Sequence, residues 1–327
     1  MNTFEKKTIL ITGATGLIGS NLVDRLMTMS PAKVIVTGRN EKKLESTFQE
    51  YVSRDNFVIV QHDAAMPIPS CIQNVDYIFH AAGPMERDVV LNRPVNVIMP
   101  NVIGIINMME FLRKQETLTG KKGRIIVFSS VTVYNNPGND NFDAIESETT
   151  NAISLDAPTA CYAESKRMSE VIARAYAKQY NTDIVIARFS TVYGPTRNVP
   201  DTAFYEFIKK SINGEDIIVN SNTAPRRDNI YVDDAINGLI CVALAGESDE
   251  AYNISSGGEL GNYAAVDEIA KVVAEVAGMG SKVIFRTEGE TKKGGMTLNN
   301  NKLKSLGWSL CYSMEAGITE TLKRTNR

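Results

Sequence analysis

Three glycines at three-residue spacing, Gly13, Gly16 and Gly19, follow the apolar run Thr8-Ile9-Leu10-Ile11-Thr12 and open an amphipathic stretch from Leu17 to Met29. No other feature restricts the fold as much. A strand that turns through glycine straight into a helix gains a tight turn, close approach of a ligand to the backbone, and close helix–strand packing, because three side chains are missing. The helix start adds unpaired N–H groups and a partial positive charge. The position after the first strand separates this loop from three incidental glycines and predicts a pyrophosphate cradle. Gly13, Thr15, Gly16, Leu17, Ile18 and Gly19 are its candidate contacts.

The same alternation continues. Short β-branched runs at 33–37, 57–60, 75–79, 124–128 and 183–188 are separated by helical patterns at 41–51, 95–114 and 161–180. Alternating strands and helices predict right-handed crossovers and a parallel sheet covered on both faces. After Gly194 helices dominate, around 203–213, 233–244, 264–277 and 313–323. The expected fold is α/β: a Rossmann-like, doubly wound parallel sheet over residues 1–194, with a smaller, mostly helical substrate lobe over 195–327. The two share elements if the chain returns to the sheet. Asn135 to Pro158 is polar and without period, which predicts a long loop near the site.

Composition removes other classes. A net charge of −3 leaves no basic footprint for nucleic acid. No apolar run approaches the roughly 20 residues that span a bilayer, so no membrane partner is expected. Met1 to Lys7 is polar, unlike a signal peptide. Cys71, Cys161, Cys241 and Cys311 are scattered, and only His62 and His80 could add imidazole ligands. No metal site is expected, and a reducing cytoplasm is.

The second strand ends at Thr37-Gly38-Arg39-Asn40. An acidic residue there would bind the ribose 2′-hydroxyl of NAD, whereas Arg39 suits a 2′-phosphate. The expected cofactor is therefore NADP, with NAD possible, and Asn40 beside it. Asp63 and Ala64 follow the third strand toward the adenine. Ala81, Ala82 and Gly83 close the fourth strand with residues small enough for close approach. Tyr162 and Lys166 are four apart and share a helix face. A phenol ordinarily titrates near 10, and a nearby ammonium favours the phenolate. Tyr162 can then exchange a proton with an alcohol or ketone oxygen. Ser130, ending the fifth strand, is the natural partner for that oxygen, with Ser129 beside it as a cofactor contact. Ser130, Tyr162 and Lys166 are the catalytic candidates. Tyr162 and Lys166 are also expected to touch the cofactor.

The segments Thr12–Gly19, Ser129–Tyr134 and Tyr162–Lys166 resemble the extended short-chain dehydrogenase/reductase family, and within it the NAD-dependent epimerase/dehydratase group that modifies nucleotide sugars. Arg188–Pro195, Arg227–Ala235, Tyr252–Gly257 and Leu306–Trp308 extend the resemblance over nearly the whole chain. Around Ala160–Tyr162, Lys166–Arg167 and Tyr193–Pro195 it is locally similar to UDP-glucuronate decarboxylases. The resemblance implies a nucleotide-sugar substrate and a homodimer paired through long helices. It implies Phe189 and Val192 against the cofactor, and Met85, Arg87, Ser130, Thr132, Thr191 and Arg227 toward the substrate, Arg227 as the clamp on a diphosphate.

The departures bear on the reaction. The 4,6-dehydratases of the group carry an Asp-Glu pair where Val131 and Thr132 stand here, and the decarboxylases keep a glutamate at the position of Thr132. A methyl and a hydroxyl do not replace strong acid/base groups. What remains is alcohol–ketone interconversion. A 4-keto-sugar reductase that consumes NADPH is favoured through Arg39, and a 4-epimerase that holds NAD(P) tightly is the alternative. Dehydration or decarboxylation, reduction of a non-nucleotide ketone and a non-enzymatic NADP sensor come behind them.

Overall fold

The computed structural model describes residues 3–134, 142–148, 153–287, 289 and 294–325. Within the polar segment expected as a loop near the site, 135–141 and 149–152 lie outside these.

The chain begins as the glycine pattern requires: β1 (Thr8–Thr12), the loop, α1 (Leu17–Met27), β2 (Lys33–Gly38), α2 (Glu41–Thr47), β3 (Phe57–Gln61) and β4 (Tyr77–His80). Then come α3 (Arg87–Asn92), α4 (Val95–Thr119), β5 (Arg124–Ser130), a short 3₁₀ turn at Val131–Val133, β6 (Phe142–Ala144), α5 (Ala160–Tyr180), β7 (Asp183–Phe189) and β8 (Thr191–Tyr193). The remainder is α6 (Ala203–Ile212), β9 (Ile217–Ser221), β10 (Arg226–Tyr231), α7 (Val232–Ala245), β11 (Glu250–Ile254), β12 (Tyr263–Ala264), α8 (Val266–Ala277), β13 (Val283–Thr287), β14 (Gly295–Leu298), α9 (Asn301–Lys304) and α10 (Met314–Thr325).

Seven strands form one parallel sheet in the order β11-β7-β5-β4-β1-β2-β3. The central residues of most of its strands are apolar because both faces are covered. Ile9 and Ile11 of β1 join one core with Leu22, Leu26, Ile236 and Leu239 of α1 and α7. Leu10, between them, joins the other core with Ile105, Met108, Leu112 and Ala173 of α4 and α5. Strand order reverses between β1 and β4, opening a crevice at their carboxyl ends, where ligands bind in open α/β sheets.

The chain crosses the boundary expected at residue 194 twice. β11 returns to the large sheet, and β6 leaves the first half to pair with β14. The smaller lobe is less helical than its pattern suggests: β12, β10, β14 and β6 form a sheet, β8 pairs with β10, and β9 pairs with β13. One expectation needs correction. Val95–Thr119 is long and apolar enough to span a bilayer by length and composition. Here it is a sheet-covering helix whose inner face, Val97, Ile105, Met108 and Leu112, is buried.

Candidate active site

The glycine loop is shaped by contacts that a Cβ would destroy. Gly13 has φ +65, and a Cβ there would lie 2.7 Å from the Ala81 carbonyl oxygen and the Ala82 nitrogen. A Cβ on Gly19 would meet the Gly13 oxygen at 2.7 Å. Gly16 differs: its Cβ would find only the Gly13 oxygen, at an ordinary 3.5 Å, and the residue is exposed. The protein itself does not require glycine at 16, whereas a pyrophosphate settling on this backbone would. No side chain caps α1 and no acidic residue stands in its first turn, so its N–H groups stay available to an anion. These residues fit a dinucleotide.

Thr12 and His80 hold the crevice between β1 and β4. The Ala82 N–H donates to Thr12 Oγ1 at 3.2 Å, and Thr12 Oγ1 lies 2.9 Å from His80 Nδ1. His80 Nε2 lies 3.0 Å from the Pro100 carbonyl oxygen, which makes Nε2 the donor and Nδ1 the acceptor. Burial pushes His80 down to about 4, so the ring stays neutral and structural.

β5 delivers Ser129 and Ser130 to the sheet's carboxyl edge, in register with Arg188 and Phe189. Ser130 Oγ accepts from the Thr132 N–H at 3.3 Å and is the hydrogen-bonding neighbour that favours the Tyr162 phenolate. Burial acts against this and raises Tyr162 above its ordinary value. Lys166, on the same helix face, donates to the Phe128 carbonyl at 2.7 Å, with its Nζ 5.9 Å from the Tyr162 ring centre. Burial lowers Lys166 to about 8, while Glu170, one turn on, acts to raise it. The arrangement can move one proton to or from an oxygen placed between Ser130 and Tyr162.

Ser129 is not part of that pair. Its hydroxyl donates to Glu170 Oε1 at 2.5 Å, and Glu170 is held by Arg188 through bonds of 2.9 and 2.7 Å. A buried ion pair has taken the proton of the hydroxyl expected toward the cofactor, which leaves the Ser129 oxygen able there only to accept. Arg188 also donates to Tyr134 Oη at 2.8 Å, and Tyr134 donates to Asn253 at 2.7 Å.

The remaining candidates spread around the crevice. Arg39 is exposed and makes no ion pair among the described residues, while its carbonyl accepts from Gln61. Asn40 caps α2 by accepting from the Lys43 N–H at 3.0 Å. Asp63 is exposed and accepts from the Ala65 N–H at 3.0 Å, a turn-capping contact; the Ala64 carbonyl accepts from Asn107. Ala81, Ala82 and Gly83 are half-buried against the loop, and Gly83 leaves room for Asn101 Oδ1 and Lys166 Nζ. Phe189 is buried against Phe128, and Val192 is half-buried. Thr191 is exposed, and so are Met85 and Arg87. Thr132 Oγ1 is buried and, among the described residues, has no hydrogen-bond partner. Arg227 is exposed and, among the described residues, unpaired, while neighbouring Arg226 is bound to Glu268.

Two supporting residues escaped the sequence reading. Asn101 donates to Ser165 Oγ at 2.9 Å behind Tyr162 and Lys166; its signal was a polar side chain on the otherwise apolar first half of the buried face of α4. Glu170 was legible as a carboxylate four residues after Lys166.

The sequence model of the NAD dependent epimerase/dehydratase family matches residues 9–255. The chain is 27% identical to UDP-glucuronic acid decarboxylase 1 of Xenopus tropicalis over 322 residues, covering 97% of this chain and 72% of that protein. UDP-glucose 4-epimerase of Thermotoga maritima superposes with a TM-score of 0.79 at 23% identity, covering 98% of each chain. The Bordetella bronchiseptica enzyme WbmF, in complex with NAD+ and UDP, superposes with a TM-score of 0.76 at 22% identity, covering 99% of this chain and 93% of that one. The reductase expected from Arg39 finds no support among these proteins: the family description names epimerases and dehydratases, which suits the epimerase alternative better, and the curated relative is a decarboxylase, a reaction ranked low in the sequence through Thr132.

Proposed function

The chain belongs to the NAD-dependent epimerase/dehydratase family, within the extended short-chain dehydrogenases/reductases, and from that premise we propose that it is a nucleotide-sugar 4-epimerase working by internal oxidation and reduction. The observation that carries this reading is a proton-transfer group with no second acid beside it among the described residues. Val131 and Thr132, not carboxylates, follow Ser130. The buried carboxylate of Glu170 is committed to Arg188 and Ser129. Glu164, two residues past Tyr162, is turned about 200° round the helix and faces Arg167 at 3.6 Å.

When bound at the glycine loop, a nicotinamide dinucleotide supplies the hydride acceptor and donor. Tyr162 takes the proton of the sugar hydroxyl and later returns one to the ketone oxygen. Ser130 hydrogen-bonds the same oxygen. The Lys166 ammonium lowers the cost of the phenolate. Arg227 offers a guanidinium to the diphosphate, and Arg39 to a 2′-phosphate, so NADP and NAD are both cofactors of this reading. Ile98, Met99, Met168 and Val171 are apolar and exposed on α4 and α5, and supply the face for a homodimer.

The second reading, UDP-glucuronate decarboxylation, draws on the relative from Xenopus tropicalis; against it stands Thr132. The test is turnover of UDP-, dTDP-, GDP- and CDP-sugars, including UDP-glucuronate and 4-keto-sugars, under NAD(H) and NADP(H). The reading expects interconversion of 4-epimers with no net change in cofactor. Stoichiometric oxidation of NADPH by a keto-sugar would establish the reductase instead, and release of carbon dioxide the decarboxylase.

A further inference from the structure

The short segment after β8 grips the cofactor loop. The Pro195 carbonyl accepts from Asn21 Nδ2 at 3.0 Å. Arg197 donates to Asp24 Oδ1 at 2.8 Å, to the Thr47 carbonyl at 2.9 Å and to Glu50 through both of its terminal nitrogens. Asn198 Nδ2 donates to the Thr15 carbonyl and to Thr47 Oγ1, each at 3.1 Å. Thr15 lies inside the glycine loop, and Asn21 and Asp24 follow one and two turns into α1. At its other end the segment is anchored in the smaller lobe. Gly194 has φ +148, a Cβ on it would lie 2.5 Å from Val232 Cγ1, and its carbonyl accepts from Tyr205 Oη at 2.8 Å.

We infer that Pro195–Asn198 is a latch that retains the dinucleotide between half-reactions, with Asn198 as a positioning residue acting through the Thr15 carbonyl. The inference rests on the internal-redox reading, in which one cofactor must return the hydride it has accepted. The Thr15 carbonyl and the Gly16 N–H belong to one rigid peptide plane. Fixing that carbonyl fixes the turn, in which the Gly16 N–H donates to the Gly13 oxygen at 3.2 Å, and with it the direction of the first N–H groups of α1. The two hydrogens of the Asn198 amide match its two protein acceptors, so its effect on a ligand is indirect.

The experiment measures dissociation of NAD+ and NADP+ from the purified protein by competition, alongside thermal midpoints without cofactor. Asn198→Ala removes both donors, and Asn198→Asp sets a carboxylate against the Thr15 carbonyl at nearly unchanged shape. Tyr51→Phe is the control. It removes the hydroxyl that donates to Asp24 at 3.0 Å and leaves Thr15 untouched. Both Asn198 variants are expected to release cofactor about tenfold faster, equivalent to about 1.4 kcal/mol, with midpoints close to the parent and Tyr51→Phe unchanged in release. If either folded Asn198 variant releases cofactor at the parental rate, or Tyr51→Phe accelerates release equally, the latch is overturned while the functional reading stands. A parent protein that binds neither dinucleotide overturns both.

Discussion

At the scale of single residues the proposed proton transfer draws on a lysine in an unfavourable place. Lys166 ordinarily titrates at 10.5 and burial brings it to about 8. Between those values the unfolded chain holds a proton that the folded protein has released, so folding stability rises with pH across that window. Below about 8 the full cost of the buried charge is present. Tyr162 acts in the opposite sense, but only above its ordinary value of 10, where the unfolded chain ionises and the buried phenol does not. Lys166→Met should therefore flatten the rise in stability from pH 8 to 10 and lower turnover on the order of 10²-fold or more. Denaturant unfolding of the cofactor-free proteins at several pH values checks this; an unchanged slope in the variant contradicts it. The same residue shows what could be read in advance. The placement of Tyr162 and Lys166 on one helix and of Ser130 at a strand end was legible because helical spacing and strand ends are local facts. The partner of the Ser129 hydroxyl was not legible, because the Glu170–Arg188 pair forms only when α5 and β7 meet over β5.

At the scale of elements the strand–loop–helix unit divides its glycines between fold and ligand. Gly19 is closed in by backbone, and Gly19→Ala is expected to cost about 1–3 kcal/mol of stability through overpacking. Gly16 has room and φ −74, a value alanine adopts freely. Gly16→Ala should keep stability within about 1 kcal/mol of the parent yet weaken dinucleotide binding by an order of magnitude or more, because its methyl projects where the pyrophosphate approaches. Thermal melts and fluorescence titration with NADH and NADPH separate the two effects; parental affinity in Gly16→Ala contradicts the assignment of that surface. Most elements of the large sheet were readable from periodicity, since strands buried on both faces are apolar runs between turn signals. The short strands β8, β12 and β14 were not. They have two to four residues each, and nothing local distinguishes them from loop before β10 gathers them.

At the scale of the whole molecule the two halves are interleaved, with β11 returned to the large sheet and β6 lent to the small one. This long-range exchange is invisible to local pattern. It also bears on the proposed catalysis: the segment that follows β8 lies on the glycine loop through Asn198 and Thr15, so in that reading the element that leads to the substrate lobe holds the element that carries the dinucleotide. The central claim is that hydride leaves a sugar carbon and returns to that same carbon within one binding event. Its most direct test is a nucleotide sugar deuterated at C4, turned over with unlabelled NAD(P) in excess. The account predicts that the C4 epimer keeps its deuterium while the free cofactor pool stays unlabelled. Loss of deuterium from C4 into the reduced cofactor pool would contradict it.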